Sequence, residues 1–139
     1  MCDLIKTINA NIGRAWDAQH FDCWAFVREV YSNAYSIDLP ILPGVNPEDC
    51  NESARAVLRV SRSGSWIKVD IPRHGDCVLM TKRTRPHHVG IYLVESGRAF
   101  VAHCDTASGS VCQSLSQLSA QGWGGFMYYR HKELHELAR

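Results

Sequence analysis

Apolar positions in the first sixty residues recur with the period of a helix; beyond that point they alternate with the period of a strand. Leu4, Ile5, Ile8 and Ile12 share one helical face, with Asp3 placed to cap it and Gly13 to end it, so the pattern predicts a short helix over residues 3–12. A stronger helix starts near Asp22. Its apolar positions, Cys23, Phe26, Val27, Val30, Tyr31 and Ala34, are spaced i, i+3, i+4, i+7, i+8, i+11, one stripe facing a core. Residues 39–44 carry turn chemistry. Asn46-Pro47-Glu48-Asp49 then supplies a capping side chain, a first-turn proline and two acids at the positive end of the dipole, predicting a helix to about Val60. The period changes from there. Residues 66–71 read as extended and 72–76 as a turn. Strands are expected over 77–81, 89–95 and 98–103, the last two joined by a tight hairpin at Ser96-Gly97. Residues 106–110 read as loop, Val111-Cys112 as a short strand, 114–120 as a helical turn, 126–130 as a final strand and 131–139 as a frayed helix. Helices followed by antiparallel strands, without repeats or a linker, predict one α+β domain over residues 1–139.

Composition narrows the function. Of the 139 residues 45 % are apolar and 21 % charged, as in an ordinary globular domain. A net charge of +1 supplies no global field to attract nucleic acid or an acidic membrane. The longest wholly apolar run, Cys23 to Val27, is far below the roughly 18 residues of a membrane span. No signal peptide is evident, because Met1-Cys2-Asp3 begins with an acid where a basic region belongs. The chain is therefore expected to be cytoplasmic when made, with any action outside the cytoplasm needing another route. Six cysteines and seven histidines raise the questions of disulfides and zinc. The chain contains no C-x-x-C, and the adjacent pair His103-Cys104 suits one tetrahedral ion poorly, so neither a metal nor any other cofactor is expected.

Three residues form the candidate constellation. Cys23 opens the strong helix, where unpaired amides and the dipole favour a thiolate. The Cys23 amide is placed to stabilise an oxyanion, and Asp22 to cap the turn. A small buried core cysteine fits the same stripe position. Strand alternation puts His88, Gly90 and Tyr92 on one face and Val89, Ile91 and Leu93 on the other. Gly90 leaves room for close approach by another element. If Ser96-Gly97 is a two-residue turn, Glu95 pairs with Arg98 and His103 falls opposite Gly90, with His88 its diagonal neighbour. One imidazole then serves as base and the other orients it. A solvated loop end for His88 and an exposed strand end for His103 are the plainer alternatives. His20, His74, His87, His131 and His135 read as surface or loop residues, and Cys2, Cys50, Cys77, Cys104 and Cys112 as packed or idle thiols.

Together these segments resemble the NlpC-type cysteine peptidases of bacterial cell walls. Phe21-Asp22-Cys23-Trp24-Ala25-Phe26-Val27-Arg28-Glu29-Val30-Tyr31 resembles that family's nucleophile helix, followed by its usual exit at Ile37-Asp38-Leu39-Pro40. His74-Gly75-Asp76-Cys77-Val78 resembles the Pro-Gly-Asp turn into the first core strand, with His74 replacing the proline. His88-Val89-Gly90-Ile91-Tyr92-Leu93 resembles the histidine strand, and Val101-Ala102-His103 the strand of the third polar residue. The resemblance implies a papain-like core, N-terminal helices on an antiparallel sheet of five to six strands. It implies Cys23 as nucleophile, His88 as base and acid, and His103 as the group orienting His88. It implies a hydrolase, a thiol protease cleaving the peptidoglycan stem peptide, often at the D-γ-glutamyl–diaminopimelate bond, through a thioester. The Asp-Cys-Trp form and the lead-in Ile12-Gly13-Arg14-Ala15-Trp16 look most like the phage-tail and prophage branch. Tail proteins would then be partners, and tail-tip delivery would carry the protein to the periplasm and cell wall. The chain departs from the family at Trp24-Ala25, where Ser-Gly is common, and at Trp16, where a tyrosine often lines the site. Trp16 and Trp24 are candidate substrate contacts, Trp16 fitting a core aromatic equally well. The competing readings are a catalytically idle tail-assembly module, an amidase or transferase acting on another substrate, and a zinc-binding module.

Overall fold

The computed structural model describes residues 4–42, 50–82 and 85–137. Helix α1 (Leu4–Asn11) buries Leu4 and Ile8. Helix α2 (Cys23–Tyr35) buries Phe26, Val27, Val30, Tyr31 and Ala34, the stripe that the sequence spacing predicts. Each large member of that stripe contributes about 1.5–3 kcal/mol by leaving water. Asp22 Oδ1 accepts a hydrogen bond from the Ala25 amide at 2.8 Å, fixing the start of α2. Ser36, with φ 57°, closes it in a left-handed cap. Helix α3 (Cys50–Ser61) follows; its predicted capping segment at 46–49 lies outside the described residues, as does Asp3.

Six antiparallel strands form one sheet: β1 (Trp66–Val69), β2 (Cys77–Lys82), β3 (Arg85–Glu95), β4 (Arg98–Asp105), β5 (Gly109–Gln113) and β6 (Gly124–His131). Their spatial order is β1-β6-β2-β3-β4-β5. Helix α4 (Leu115–Ala120) precedes β6, and α5 (Lys132–Leu137) follows it. Ser96 and Gly97 both have positive φ, the two-residue hairpin geometry whose twist matches that of its strands. Glu95 pairs with Arg98 and Gly90 with His103, the predicted register. Alternation sorts the sheet's two faces. Leu79, Val89, Ile91, Leu93 and Ala102 pack with α1 and α2. On the opposite face Val78, Met80 and Val101 pack with Leu118 of α4 and with Trp123.

The turn entering β2 is built around a buried ion pair. Arg130 donates from Nε to Asp76 Oδ1 at 2.8 Å and from Nη2 to Oδ2 at 2.7 Å, and the Arg73 amide adds a third bond to Asp76. Tyr31 donates its hydroxyl to the Gly75 carbonyl, joining α2 to the same turn. Gly75 has φ 99°, and a Cβ there would lie 2.5 Å from the Tyr35 hydroxyl. Three expectations need correction. Strand β3 begins at Arg85 rather than at residue 89, so His87 belongs to the sheet rather than to a surface loop. Strand β5 spans five residues rather than two. His131 is buried rather than exposed, edge-on to Trp66 with ring centroids 4.9 Å apart.

Candidate active site

Cys23 is the first residue of α2 and is half-buried against the core. The backbone amides of Val89 and Trp24 favour its anion. Burial outweighs both, and the Asp22 charge adds to it, so the thiol is pushed up to about 12. This corrects the expectation of a depressed thiol pKa at the helix start. The carboxylate that caps α2 is itself a like charge beside the sulfur.

The two predicted histidines meet on the opposite face of the sheet. His88 Nε2 lies 2.8 Å from His103 Nδ1, and the rings stand nearly perpendicular. His103 Nε2 in turn lies 2.7 Å from Gln113 Oε1. Burial holds both imidazoles below their usual range, His88 strongly, with neighbouring His103 reinforcing the effect there. Both are therefore neutral near pH 7, and the proton positions follow. A carbonyl oxygen only accepts, so His103 carries its proton on Nε2 and donates it to Gln113. His103 Nδ1 is then a bare acceptor and receives the proton on His88 Nε2. His88 Nδ1 is left with the lone pair, the basic nitrogen of the relay.

Gly90 makes this pairing possible. A Cβ at Gly90 would lie 2.7 Å from the Ala102 carbonyl and 3.1 Å from His103 Cβ, so any side chain there would push β3 away from β4. Trp123 stacks on His88, with ring centroids 4.7 Å apart and planes 19° from parallel, while Lys82 sits over the same indole at 4.3 Å. The indole covers the imidazole and shields the relay from water.

Among the described residues no hydrogen bond joins the Cys23 sulfur to His88. Cys23 lies with Val89 on the α2 face of the sheet and His88 with Trp123 on the other, so the structure does not bring the predicted nucleophile and base together. A cavity of ≈ 370 Å³ opens beside Cys23, lined on its apolar side by residues such as Trp66, Leu79 and Val89. Trp24 lines it, with Nε1 donating to the Pro40 carbonyl at 2.8 Å. Trp16 instead packs, half-buried, against the hydrophobic core. His87 also lines the cavity; it is the extra residue of a β-bulge, since Thr81 pairs with Pro86 and Met80 with His88.

The sequence pattern does not point to Gln113 or Trp123. The signal for Gln113 is positional. It pairs with Val101, which makes it the diagonal neighbour of His103 on β5, but the predicted strand stopped one residue short of it. Trp123 lies in the segment between α4 and β6, and no periodicity ties it to His88. Cys77 and Cys104 are buried free thiols in the same core, and Cys112 is free and exposed. Among the described residues no three His, Cys, Asp or Glu side chains are grouped to hold a metal ion, and no helix is long and apolar enough to cross a membrane.

The model of the NlpC/P60 family matches residues 13–129, a span that holds Cys23, His88, His103, Gln113 and Trp123. No curated protein matches the chain.

Proposed function

Because the chain belongs to the NlpC/P60 family of cell-wall peptidases and amidases, we propose that it is a cysteine endopeptidase that hydrolyses the peptidoglycan stem peptide at the D-γ-glutamyl–diaminopimelate bond, with Cys23 as nucleophile, His88 as base and acid, and His103 as the positioning residue. The observation that carries this reading is the relay Gln113–His103–His88, which leaves the basic nitrogen of His88 at Nδ1. A binding module has no use for an imidazole held in one tautomer by a relay.

The chemistry follows from those protonation states. Thiol and imidazole are both neutral at rest, since burial disfavours charge on each. For reaction, His88 Nδ1 must be brought from the sheet face it shares with Trp123 to the Cys23 side, where it takes the thiol proton as sulfur attacks the scissile carbonyl carbon. The charges then form as a pair, each offsetting the desolvation of the other. The oxyanion is received by the amide of Cys23 and the open end of α2, where Asp22 holds the first turn in place. Collapse breaks the C–N bond, and the proton on His88 passes to the leaving amine. Water then attacks the thioester, gives a proton to His88, and releases the acid, while the returned proton restores the thiol.

The Asp22-Cys23-Trp24 form and the lead-in before it support a phage-tail or prophage setting, with tail proteins as partners and the cell wall as the place of action. The test is digestion of purified peptidoglycan, with released fragments followed by mass spectrometry beside Cys23→Ala. Release of γ-glutamyl-ended fragments by the parent alone is the expected result. Equal release by both proteins would remove Cys23 from its role, and no release by either would remove peptidoglycan as the substrate.

A further inference from the structure

A second hollow, of ≈ 390 Å³, adjoins the cavity beside Cys23, and its character is different. Where the first is largely apolar, the second is lined by Arg14, Glu29, Ser32, Asn33 and Asp38. The two share Arg28. Arg14 is paired with Glu29, and Arg130 with Asp76. Among the described residues Arg28 forms no ion pair, although Asp38 lines the same hollow. Its Nε donates to the Leu39 carbonyl at 3.1 Å, which fixes the plane of the guanidinium, and among the described residues neither Nη group makes an ion pair. Trp24, one turn earlier on the same helical face, is fixed in the same way on Pro40. Arg28 follows Cys23 by five residues, about 7.5 Å along the helix axis, and both line the first cavity.

A pinned guanidinium with no ion pair among the described residues, at the junction of a polar hollow and the apolar cavity that Cys23 also lines, is placed to receive a carboxylate in bidentate fashion. A γ-glutamyl donor retains a free α-carboxylate three carbons from its scissile carbonyl, whereas an α-linked residue without an acidic side chain has none. We propose that Arg28 is the specificity residue of this site and that it binds the α-carboxylate of the γ-linked residue donating the scissile carbonyl. This rests on the function proposed above and adds a prediction about which stem peptides are cleaved. Amidation of that carboxylate removes the charge and puts an NH₂ donor against the guanidinium.

The experiment compares kcat/KM on two synthetic peptides, L-alanyl-γ-D-glutamyl-diaminopimelate and its D-isoglutaminyl counterpart, for the parent protein, Arg28→Met and Arg28→Lys. The parent is expected to prefer the free acid by about 10-fold or more, the range for a hydrogen bond to a charged group. Arg28→Met is expected to lose the preference by falling on the acid peptide alone, and Arg28→Lys to retain part of it. Equal cleavage of both peptides by the parent would overturn the inference while leaving the peptidase intact. A preference that survives Arg28→Met would also overturn it. Cleavage of neither peptide would overturn the proposed function and this inference with it. Because the parent's own preference needs no variant, a poorly folded Arg28→Met protein does not shelter the proposal.

Discussion

His88 has one nitrogen committed to His103 and one carrying a lone pair, and Gln113 decides which is which. Gln113→Leu removes the acceptor that holds the proton on His103 Nε2, so the relay loses its direction. Activity is expected to fall about 10- to 100-fold, corresponding to the loss of a buried, geometry-setting hydrogen bond, with secondary structure unchanged by circular dichroism. Gln113→Glu keeps an acceptor but adds a negative charge beside His103. That charge favours the imidazolium, so His103 and the relay protonate at higher pH than in the parent. The acid limb of the kcat/KM profile is expected to move upward in pH, and an unmoved limb would separate Gln113 from the relay. His87 supplies a control at the same scale. It lines the cavity with Cys23 and its ring lies 5.3 Å from that of Trp123, but it sits on a bulge, whereas His88 is held by the relay. His88→Ala should abolish turnover and His87→Ala should spare most of it; the reverse outcome would transfer the role of base to His87.

At the scale of elements, the β3–β4 pairing and the turn into β2 keep the relay in register. Gly90→Ala places a methyl group against the Ala102 carbonyl, backbone that has no rotamer to yield. The strands must part, and a loss of about 1–3 kcal/mol is expected, as for other overpacked sites, read by urea denaturation and accompanied by lower activity. Asp76→Ala is expected to be worse, about 3–5 kcal/mol, because it strands Arg130 as a buried charge without its partner. These two positions also show what the sequence makes legible. The i, i+3, i+4 stripe of α2 and the alternation of β3 are local patterns, and Gly90 opposite His103 follows from counting outward from a two-residue turn. Asp76 and Arg130 are 54 residues apart, and Arg130 lies on a strand that enters the sheet between β1 and β2. No local period encodes such an insertion. The bulge at His87 and the extra residues of β5 escaped for the same reason, since both are set by the neighbouring strand. The thiol departs from its expectation on physical grounds: the helix-start amides and dipole are legible in the sequence, whereas burial, the largest cause, depends on the folded surroundings.

Over the whole molecule the buried histidines link stability to pH. His88, His103 and His131 are each held below the usual imidazole value, with burial the largest cause in every case. The unfolded chain takes up protons on these residues as pH falls through about 6.5, while the folded chain does not until a lower pH. Between those limits the unfolded state binds more protons, so stability rises with pH. It is complete above about pH 6.5 and declines as the solution is acidified toward the folded-state values. Each group adds a slope of up to about 1.4 kcal/mol per pH unit. His131 lies away from the relay, against Trp66 on the β1–β6 side of the sheet, and serves as an independent reporter. Urea denaturation of the parent at a series of pH values from 7.5 to 5 should give a steadily falling unfolding free energy below about 6.5. His131→Phe should flatten that fall by its own share while leaving turnover at neutral pH unchanged, and His88→Phe should flatten it further while abolishing turnover. A parent whose stability is level between pH 7 and 5 would mean that these imidazoles take up protons in the folded state as readily as in the unfolded one. The neutral relay, and with it the assignment of the basic nitrogen to His88 Nδ1, would then fail.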